Sequence, residues 1–328
     1  MPTILINKIL VIRLSSLGDI LLTTPVIRVL KQQYPAAKID FVVKEQYKDA
    51  LLFNPNISNL FIYEKEKAQK LNSGLRDTSY DLIIDLQNNF RSHKLTGGLK
   101  AKIYRFKKLS IKKFLLVWFK INLLKDLKTI SQRYAETAGV SIEGKMPELF
   151  LPQNVTTRLE DGINYIGFCP GSKHFTKRWL PEYFIHLGNE LAKLGFKIVL
   201  FGGKADGELC NAISGNIQGC VNLQNDDQLL QTAADMKRCK LILTNDSGLM
   251  HTASAVGVPL IAIFGSTVRE FGFFPVGAQN LILENKSLSC RPCSHIGKLS
   301  CPKKHFKCMK ELTPEFVLNQ LQMFKEGI

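Results

Sequence analysis

The chain has 328 residues, 44 of them Lys or Arg against 28 Asp or Glu, for a formal net charge of +16. That length exceeds one ordinary core, so two domains of roughly 150 residues each are expected. The charge calls for a polyanionic partner: nucleic acid, an acidic membrane surface or a phosphorylated substrate. The longest apolar runs, such as Phe114 to Phe119, fall far short of the roughly 20 residues that span a bilayer, which excludes a transmembrane role.

Near the N-terminus the apolar stretch is interrupted by Lys8 and Arg13 and no small-residue cleavage site follows. It therefore reads as a first strand, "KILVIR", rather than a signal peptide, and argues for the cytoplasm. The loop "RLSSLGDI" comes next and places a lone carboxylate, Asp19, at the start of a helix expected from Asp19 to Gln33. "KIDFVV", a helix near Glu45 to Leu52, "LFIY" and "DLIIDL" (Asp81 to Leu86) continue an alternation of β-branched runs and helical patterns. Such alternation is the mark of a parallel sheet covered by helices. After that strand Arg91, in "DLQNNFRSHK", is placed to hold an acidic ligand; the plain alternative is a surface arginine.

The pattern then breaks. Between Lys100 and Lys128 ten basic residues face one acid, Asp126, and within that window "KKFLLVWFK" (Lys112 to Lys120) sets an apolar core between cations. A segment of this kind suits an anionic membrane surface or an acidic ligand, the alternative being a solvated helix. Met146 to Gly162 contains proline and has no period, so it reads as a linker.

Beyond the linker the alternation restarts. "YIGFCPG" is a strand and turn, Pro181 to Gly195 a helix with Pro at its start and Gly at its end, and "KIVLFGG" a strand. "DDQLLQTAADMKRC" is a helix, "KLILTND" a strand, "GLMHTASAVG" a helix, "PLIAIFG" a strand, and a last helix is expected near Pro314 to Lys325. Two doubly wound α/β units in series result, and ligands of such units sit at the carboxyl ends of the strands.

Two loops there carry anion chemistry. In "LTNDSGLMHTASAVGVP" a helix begins at about Gly248 with its first-turn N–H groups unpaired, and Ser247 and Gly248 let a pyrophosphate approach the backbone. Asp246 as a mere N-cap and His251 as an ordinary helical histidine are the alternative. "CPGSKHFTKRWLPEYF" supplies Gly171, Ser172, Lys173, Lys177 and Arg178 ahead of a second helix, suited to holding phosphate and neutralising it as a leaving group. A solvated basic loop is the rival there, although Trp179 anchors the loop's end. Neither a Walker A sequence nor a Gly-x-Gly-x-x-Gly fingerprint is present.

"RLSSLGDILLTTPVIRVLKQQYP", "PGS…KRW…PEYF" and "LTNDSGLMHTASAVGVPLIAIFGST", in that order, closely resemble the lipopolysaccharide heptosyltransferases, glycosyltransferase family 9, over nearly the whole chain. The resemblance implies a GT-B fold: two Rossmann-like doubly wound domains facing a cleft, an acceptor-binding one over 1–155 and a nucleotide-sugar-binding one over 156–312. A C-terminal helix over 313–328 would pack back on the first. It implies an inverting, metal-independent transfer of heptose from ADP-heptose to the Kdo or heptose of the lipopolysaccharide inner core, with no cofactor required. Asp19 matches the family's general base. Lys177 and Ser172 match residues at the donor phosphates, and Asp246, Ser247, Gly248 and His251 line the donor pocket. Ser16, Gly18 and Arg91 are the expected acceptor contacts. One family position after the "LFGG" strand is often acidic and holds the donor ribose; here it falls on Lys204, with Asp206 close by. Another nucleotide sugar or acceptor on the same fold is the nearest rival. A non-catalytic polyanion binder is a more distant one, and no nucleic-acid module supports it. The expected location is cytoplasmic, peripheral at the inner face of the membrane.

A carboxylate in a helix's first turn is held as an anion and is a weak base. Glycosyl transfer nevertheless tolerates one, because the acceptor hydroxyl loses its proton late and orientation matters more than basicity.

Cys169, Cys210, Cys220 and Cys239 lie in apolar or helical contexts and read as reduced, buried thiols. Cys290, Cys293, Cys301 and Cys308, spaced C-x2-C-x7-C-x6-C with His295 and His305 among them, leave open a structural metal site or redox-sensitive cluster on one side, and packed thiols or partial disulfides on the other.

Overall fold

A computed structural model of the protein describes residues 6–124, 128–277 and 279–326; Lys125 and Asp126 of the basic window lie outside them. The chain divides into two compact units, residues 1–108 with 128–150, and residues 109–127 with 151–328. The boundary thus falls at 150/151, and the apolar centre of the basic window groups with the second unit although its sequence neighbours on both sides belong to the first.

In the first unit the strands are β1 (Lys8–Ile12), β2 (Lys38–Lys44), β3 (Asn59–Tyr63), β4 (Leu82–Asp85) and β5 (Lys102–Arg105), all parallel in the order β3-β2-β1-β4-β5. Its helices are α1 (Leu17–Leu21), α2 (Thr24–Gln33), α3 (Ala68–Asp77) and α4 (Phe90–Thr96). The chain then leaves for α5 (Ser110–Phe119), in the second unit, and returns as α6 (Ile130–Ala138). The single helix expected over 19–33 is two. The hydroxyls of Thr23 and Thr24 donate to the carbonyls of Ile20 and Leu21, both at 2.7 Å, and Pro25, which has no N–H to continue the ladder, stands at the start of α2. Glu45–Ala50 is a 3₁₀ turn rather than an α-helix.

The second unit carries β6 (Tyr165–Cys169), α7 (Pro181–Lys193), β7 (Lys197–Leu200), α8 (Gly207–Ser214), β8 (Val221–Asn222), α9 (Leu229–Met236), β9 (Leu241–Asn245), α10 (Gly248–Ala255), β10 (Leu260–Phe264), β11 (Asn280–Glu284), α11 (Lys307–Lys310) and α12 (Pro314–Glu326). Its sheet is again parallel, ordered β11-β10-β9-β6-β7-β8. Both faces of β6 are covered, as a parallel strand requires. Ile166 and Phe168 pack with Phe184, Leu187 and Leu191 of α7, while Tyr165 and Cys169 pack with Met250 and Ala253 of α10. The buried face of α12, Val317 and Leu321, joins the core that contains α7.

Both strand orders reverse direction once, between β1 and β4 in the first sheet and between β6 and β9 in the second. Those are the switch points, where loops leaving neighbouring strands diverge and open a crevice for ligands. Among the described residues no helix is long and apolar enough to cross a membrane.

Candidate active site

At the first switch point, the loop from β1 to α1 holds Asp19 at four contacts. Arg13 Nη2 lies 2.7 Å from Asp19 Oδ1, and the hydroxyl of Tyr134, from α6, donates to the same oxygen at 3.1 Å. Ser16 donates to Oδ2 twice, from its hydroxyl at 2.7 Å and its backbone N–H at 3.1 Å. Arg13 is itself fixed, donating to the carbonyl of Ser15 at 2.8 Å and of Leu86 at 2.7 Å. From the β4 side, the Gln87 side-chain oxygen accepts from the N–H groups of Leu14 at 2.8 Å and Ser15 at 3.3 Å, which clasps the β1 loop to the neighbouring strand's end.

The electrostatics follow from that cage. Burial by itself pushes the Asp19 carboxyl up, but the Arg13 charge and the Ser16 and Tyr134 hydrogen bonds outweigh it and hold the group below the usual aspartate value. Burial likewise drives the Tyr134 phenol well above its usual range, so it stays a donor. A low pKa is what the helix start alone predicts; α1 has only five residues, and the Arg13 ion pair and the hydrogen bonds are the cause. Ser16 is exposed at the N-cap and Gly18 is buried in α1. Arg91 is exposed in the first turn of α4, after β4. Behind it Asp85, fully buried, accepts from Ser92 Oγ at 2.8 Å, from the N–H groups of Gln87 and Asn88, and from Arg105 at 2.5 Å, which fixes the start of that helix.

At the second switch point the loops after β6 and β9 meet. Lys177 Nζ sits 2.7 Å from Asp246 Oδ2, and Thr267 Oγ1, from the loop after β10, donates to the same oxygen at 2.6 Å. Ser172 Oγ donates to the Asp246 carbonyl at 3.3 Å, and Arg178 Nε to the Ser172 carbonyl at 2.6 Å. The Asn245 side chain ties the two loops, donating to the Pro170 carbonyl at 2.7 Å and accepting from Trp179 N–H at 3.0 Å. Ser247 is the N-cap of α10, and its hydroxyl oxygen is buried with no hydrogen-bond partner, a costly state for a polar group unless something else satisfies it. His251 is buried one turn further along α10. Ser172, Lys177, Asp246, Ser247, Gly248 and His251 thus lie on the two loops and one helix that meet here.

The turn after β7 carries the two residues named for the donor ribose, Lys204 and Asp206. Asp206 is folded inward, its carboxylate accepting from Gly203 N–H at 3.1 Å and raised in pKa by burial. A Cβ on Gly171 would stand 2.3 Å from that carboxylate, so glycine is what lets the β6 loop pass. Lys204 is exposed.

Arg13 is the part of the cage most accessible to sequence reasoning, being a cation at the end of a buried strand. Tyr134 and Gln87 carry no local signal, because they reach the loop across 115 and 73 residues of chain. Arg291 is similar: its buried guanidinium donates to the carbonyls of Gly265, Thr267 and Asn285, at 2.5, 2.8 and 2.5 Å, and so fixes the loop that carries Thr267.

All eight cysteines are free thiols. Burial raises Cys293, and raises Cys308 to about 12; Cys301 and Cys308 pack with Met309 and Leu312 in the core, and Cys290 Sγ lies 3.8 Å from His305 Nε2. Among the described residues no three His, Cys, Asp or Glu side chains converge as metal ligands. Cys169, Cys210 and Cys239 are buried and Cys220 half-buried.

The family model for glycosyltransferase family 9 (heptosyltransferase) matches residues 68–304. Lipopolysaccharide heptosyltransferase 2 of Salmonella typhimurium is 30% identical over 301 residues, covering 80% of this chain and 84% of that one. Lipooligosaccharide heptosyltransferase 2 of Campylobacter jejuni is 30% identical over 320 residues, covering 93% and 94%. Among solved structures, Escherichia coli ADP-heptose lps heptosyltransferase II superposes with a TM-score of 0.77 at 25% identity over 98% of this chain and 100% of that chain. A family 9 glycosyl transferase of Veillonella parvula gives 0.78 at 25% identity over 97% of both.

Proposed function

The chain belongs to glycosyltransferase family 9, the heptosyltransferases, and from that premise we propose that it is an inverting enzyme that moves heptose from ADP-heptose to the Kdo or heptose of a lipopolysaccharide inner core. The observation that carries the donor half is the anion site at the start of α10: a lysine ammonium, a helix N-terminus and a buried, unpartnered serine hydroxyl.

In the single displacement we propose, the acceptor hydroxyl oxygen forms a bond to the anomeric carbon as the bond from that carbon to the β-phosphate oxygen breaks. The hydroxyl proton passes to Asp19, ADP departs, and attack from the face opposite the leaving group inverts the centre. Lys177, Ser172 and the N–H groups around Gly248 neutralise the charge that grows on ADP, the task a metal ion fills in other glycosyl transfers. Asp246 and Thr267 hold Lys177 in place, and His251 shapes the donor pocket. Asp19, ionised through the neutral range, is always ready as an acceptor; being a weak base it relies on its four fixed contacts for orientation. Ser16, Gly18 and Arg91 contact the acidic acceptor. The enzyme works in the cytoplasm, against the inner face of the membrane where a lipid-linked acceptor is presented.

ADP release from ADP-heptose, measured with and without a deacylated Kdo-containing acceptor, tests this reading. Acceptor-dependent release that falls about 100- to 10,000-fold in Asp19→Ala, with the fold intact, is expected. Near-normal release by that variant would remove Asp19 as the base, and no release by the native chain would remove heptose transfer itself.

A further inference from the structure

The face of α5 in the second unit is unusual for a surface. Ile111, Phe114 and Trp118, spaced three and four apart and so on one side of the helix, are 76, 52 and 68% exposed. Phe119 continues the ridge, with ring centroids 6.0–6.1 Å between Phe114 and its two aromatic neighbours. The opposite side is seated: Leu116 is buried with Leu124 and Phe271, with Val268 and Phe273 packed around them. The apolar residues left outside are therefore outside because the helix is docked by its other face, and not because it is loose. Monomeric surfaces rarely gather large aromatics this way without a partner.

The structure adds a second element that the sequence does not group with it. Lys120, which follows α5, donates to the carbonyls of Cys290 and Pro292 at 3.2 and 2.7 Å. At the other end of the helix Lys113 lies close enough to His295 to depress its pKa further, after burial. The cysteine-bearing loop is thus fastened beside α5, and it too exposes apolar tips, Ile296 and Leu299, among the exposed cations Lys298, Lys303 and Lys304. Lys120 itself is engaged by these carbonyls, so Lys112 and the loop lysines supply the free positive charge.

We propose that α5 and this loop form one membrane-docking face, on which Trp118, Phe114 and Ile111 enter the headgroup region of an anionic phospholipid leaflet while the lysines pair with its phosphates. The proposal rests on the heptosyltransferase reading only for its purpose, bringing the enzyme to a lipid-linked acceptor. Aromatic side chains between lysines are what such an interface selects, since a ring can sit at headgroup depth while ammonium groups meet the anionic surface. It assigns docking to the nucleotide-sugar unit, which carries residues 109–127.

The chain has two tryptophans, and Trp179 is 1% exposed, so a change in emission on adding lipid reports Trp118. With phosphatidylglycerol vesicles at low salt we expect a blue shift and co-sedimentation, both weakened by added salt and absent with phosphatidylcholine alone. Phe114→Ser and Trp118→Ser should each lower partitioning about tenfold, and Lys112→Gln about fivefold. ADP release with a water-soluble acceptor should be unchanged in all three variants. Unshifted emission, or binding indifferent to these substitutions, overturns the proposal. So does a parallel loss of soluble turnover, which would make this face a grip for the acceptor sugar, or light scattering that shows a native dimer dissociated by Trp118→Ser. Intact vesicle binding by a chain with no transferase activity would overturn the catalytic reading and leave the docking face standing.

Discussion

Removing Arg13 should move the pH dependence of the enzyme rather than simply weaken it. Its guanidinium is 2.7 Å from Asp19, with the two side chains 10 and 13% exposed, so the pair is only partly screened. Unit charges with centres about 4 Å apart interact by about 1–4 kcal/mol between water and a protein-surface dielectric, equivalent to about 1–3 pH units. Burial pushes Asp19 up and Arg13 is the largest influence pulling it down. In Arg13→Gln the acid limb of kcat/KM should therefore move upward, toward neutral pH. The sign for stability is the same. A carboxyl depressed in the folded state stabilises it above the unfolded value, and that stabilisation is lost as pH falls through the folded value; in the variant it is missing at neutral pH. Two backbone carbonyls also lose a donor, so the plateau rate will drop, and the limb's position is the informative quantity. ADP release from pH 4 to 9 on native, Arg13→Gln and Arg13→Lys proteins gives it, with lysine expected to restore part of the shift. An unmoved acid limb in Arg13→Gln would refute both the ion pair's role and Asp19 as the titrating base.

Lys177→Met should lower kcat about 100- to 1,000-fold and weaken ADP binding, read by calorimetry, since it removes the ammonium from the proposed leaving-group site. The Arg158 guanidinium donates twice to the fully buried Asp235, at 2.7 and 2.9 Å, so Arg158→Met should cost about 1–3 kcal/mol in a urea titration without touching KM, the solvent exposure of the arginine moderating the loss. Gly171→Ala drives a methyl into the Asp206 carboxylate and should destabilise by about 1–2 kcal/mol in a thermal melt; adding Asp206→Ala should recover part of that, and a purely additive double variant would contradict the clash.

Much of the fold could be read from the chain because parallel strands buried on two faces announce themselves as short β-branched runs, as "KILVI" and "LIAIF" do. The switch-point loops were legible for a related reason: serine, glycine and a charge at the end of such a run have few structural uses. What escaped was anything decided by distant partners. The edge strands β5 and β11 are short and half-exposed, and β5 lies hidden in the basic window. Nothing in the sequence announces that residues 109–127 leave their neighbours for the second unit, because Leu116 finds its partner at Phe271, 155 positions away. The sequence places Asp19 at the start of α1 but not the cage around it: Arg13 does most to keep it ionised, and Tyr134 adds a hydrogen bond from a helix the periodicity does not reveal.

If the loops after β6 and β9 form the donor site proposed above, the Lys177–Asp246 contact also bears on which anions it would accept. The lysine's rotamer is fixed by a carboxylate of its own chain, so little side-chain freedom remains to be lost when a ligand binds. The same carboxylate is a resident competitor: any anion reaching that ammonium must share it or displace Asp246. A lone chloride or inorganic phosphate gains too little from one lysine to do so, whereas a diphosphate that also engages the start of α10 spreads the contest over several donors. On the proposed function, selectivity against small anions would be set by a residue that repels them, Asp246.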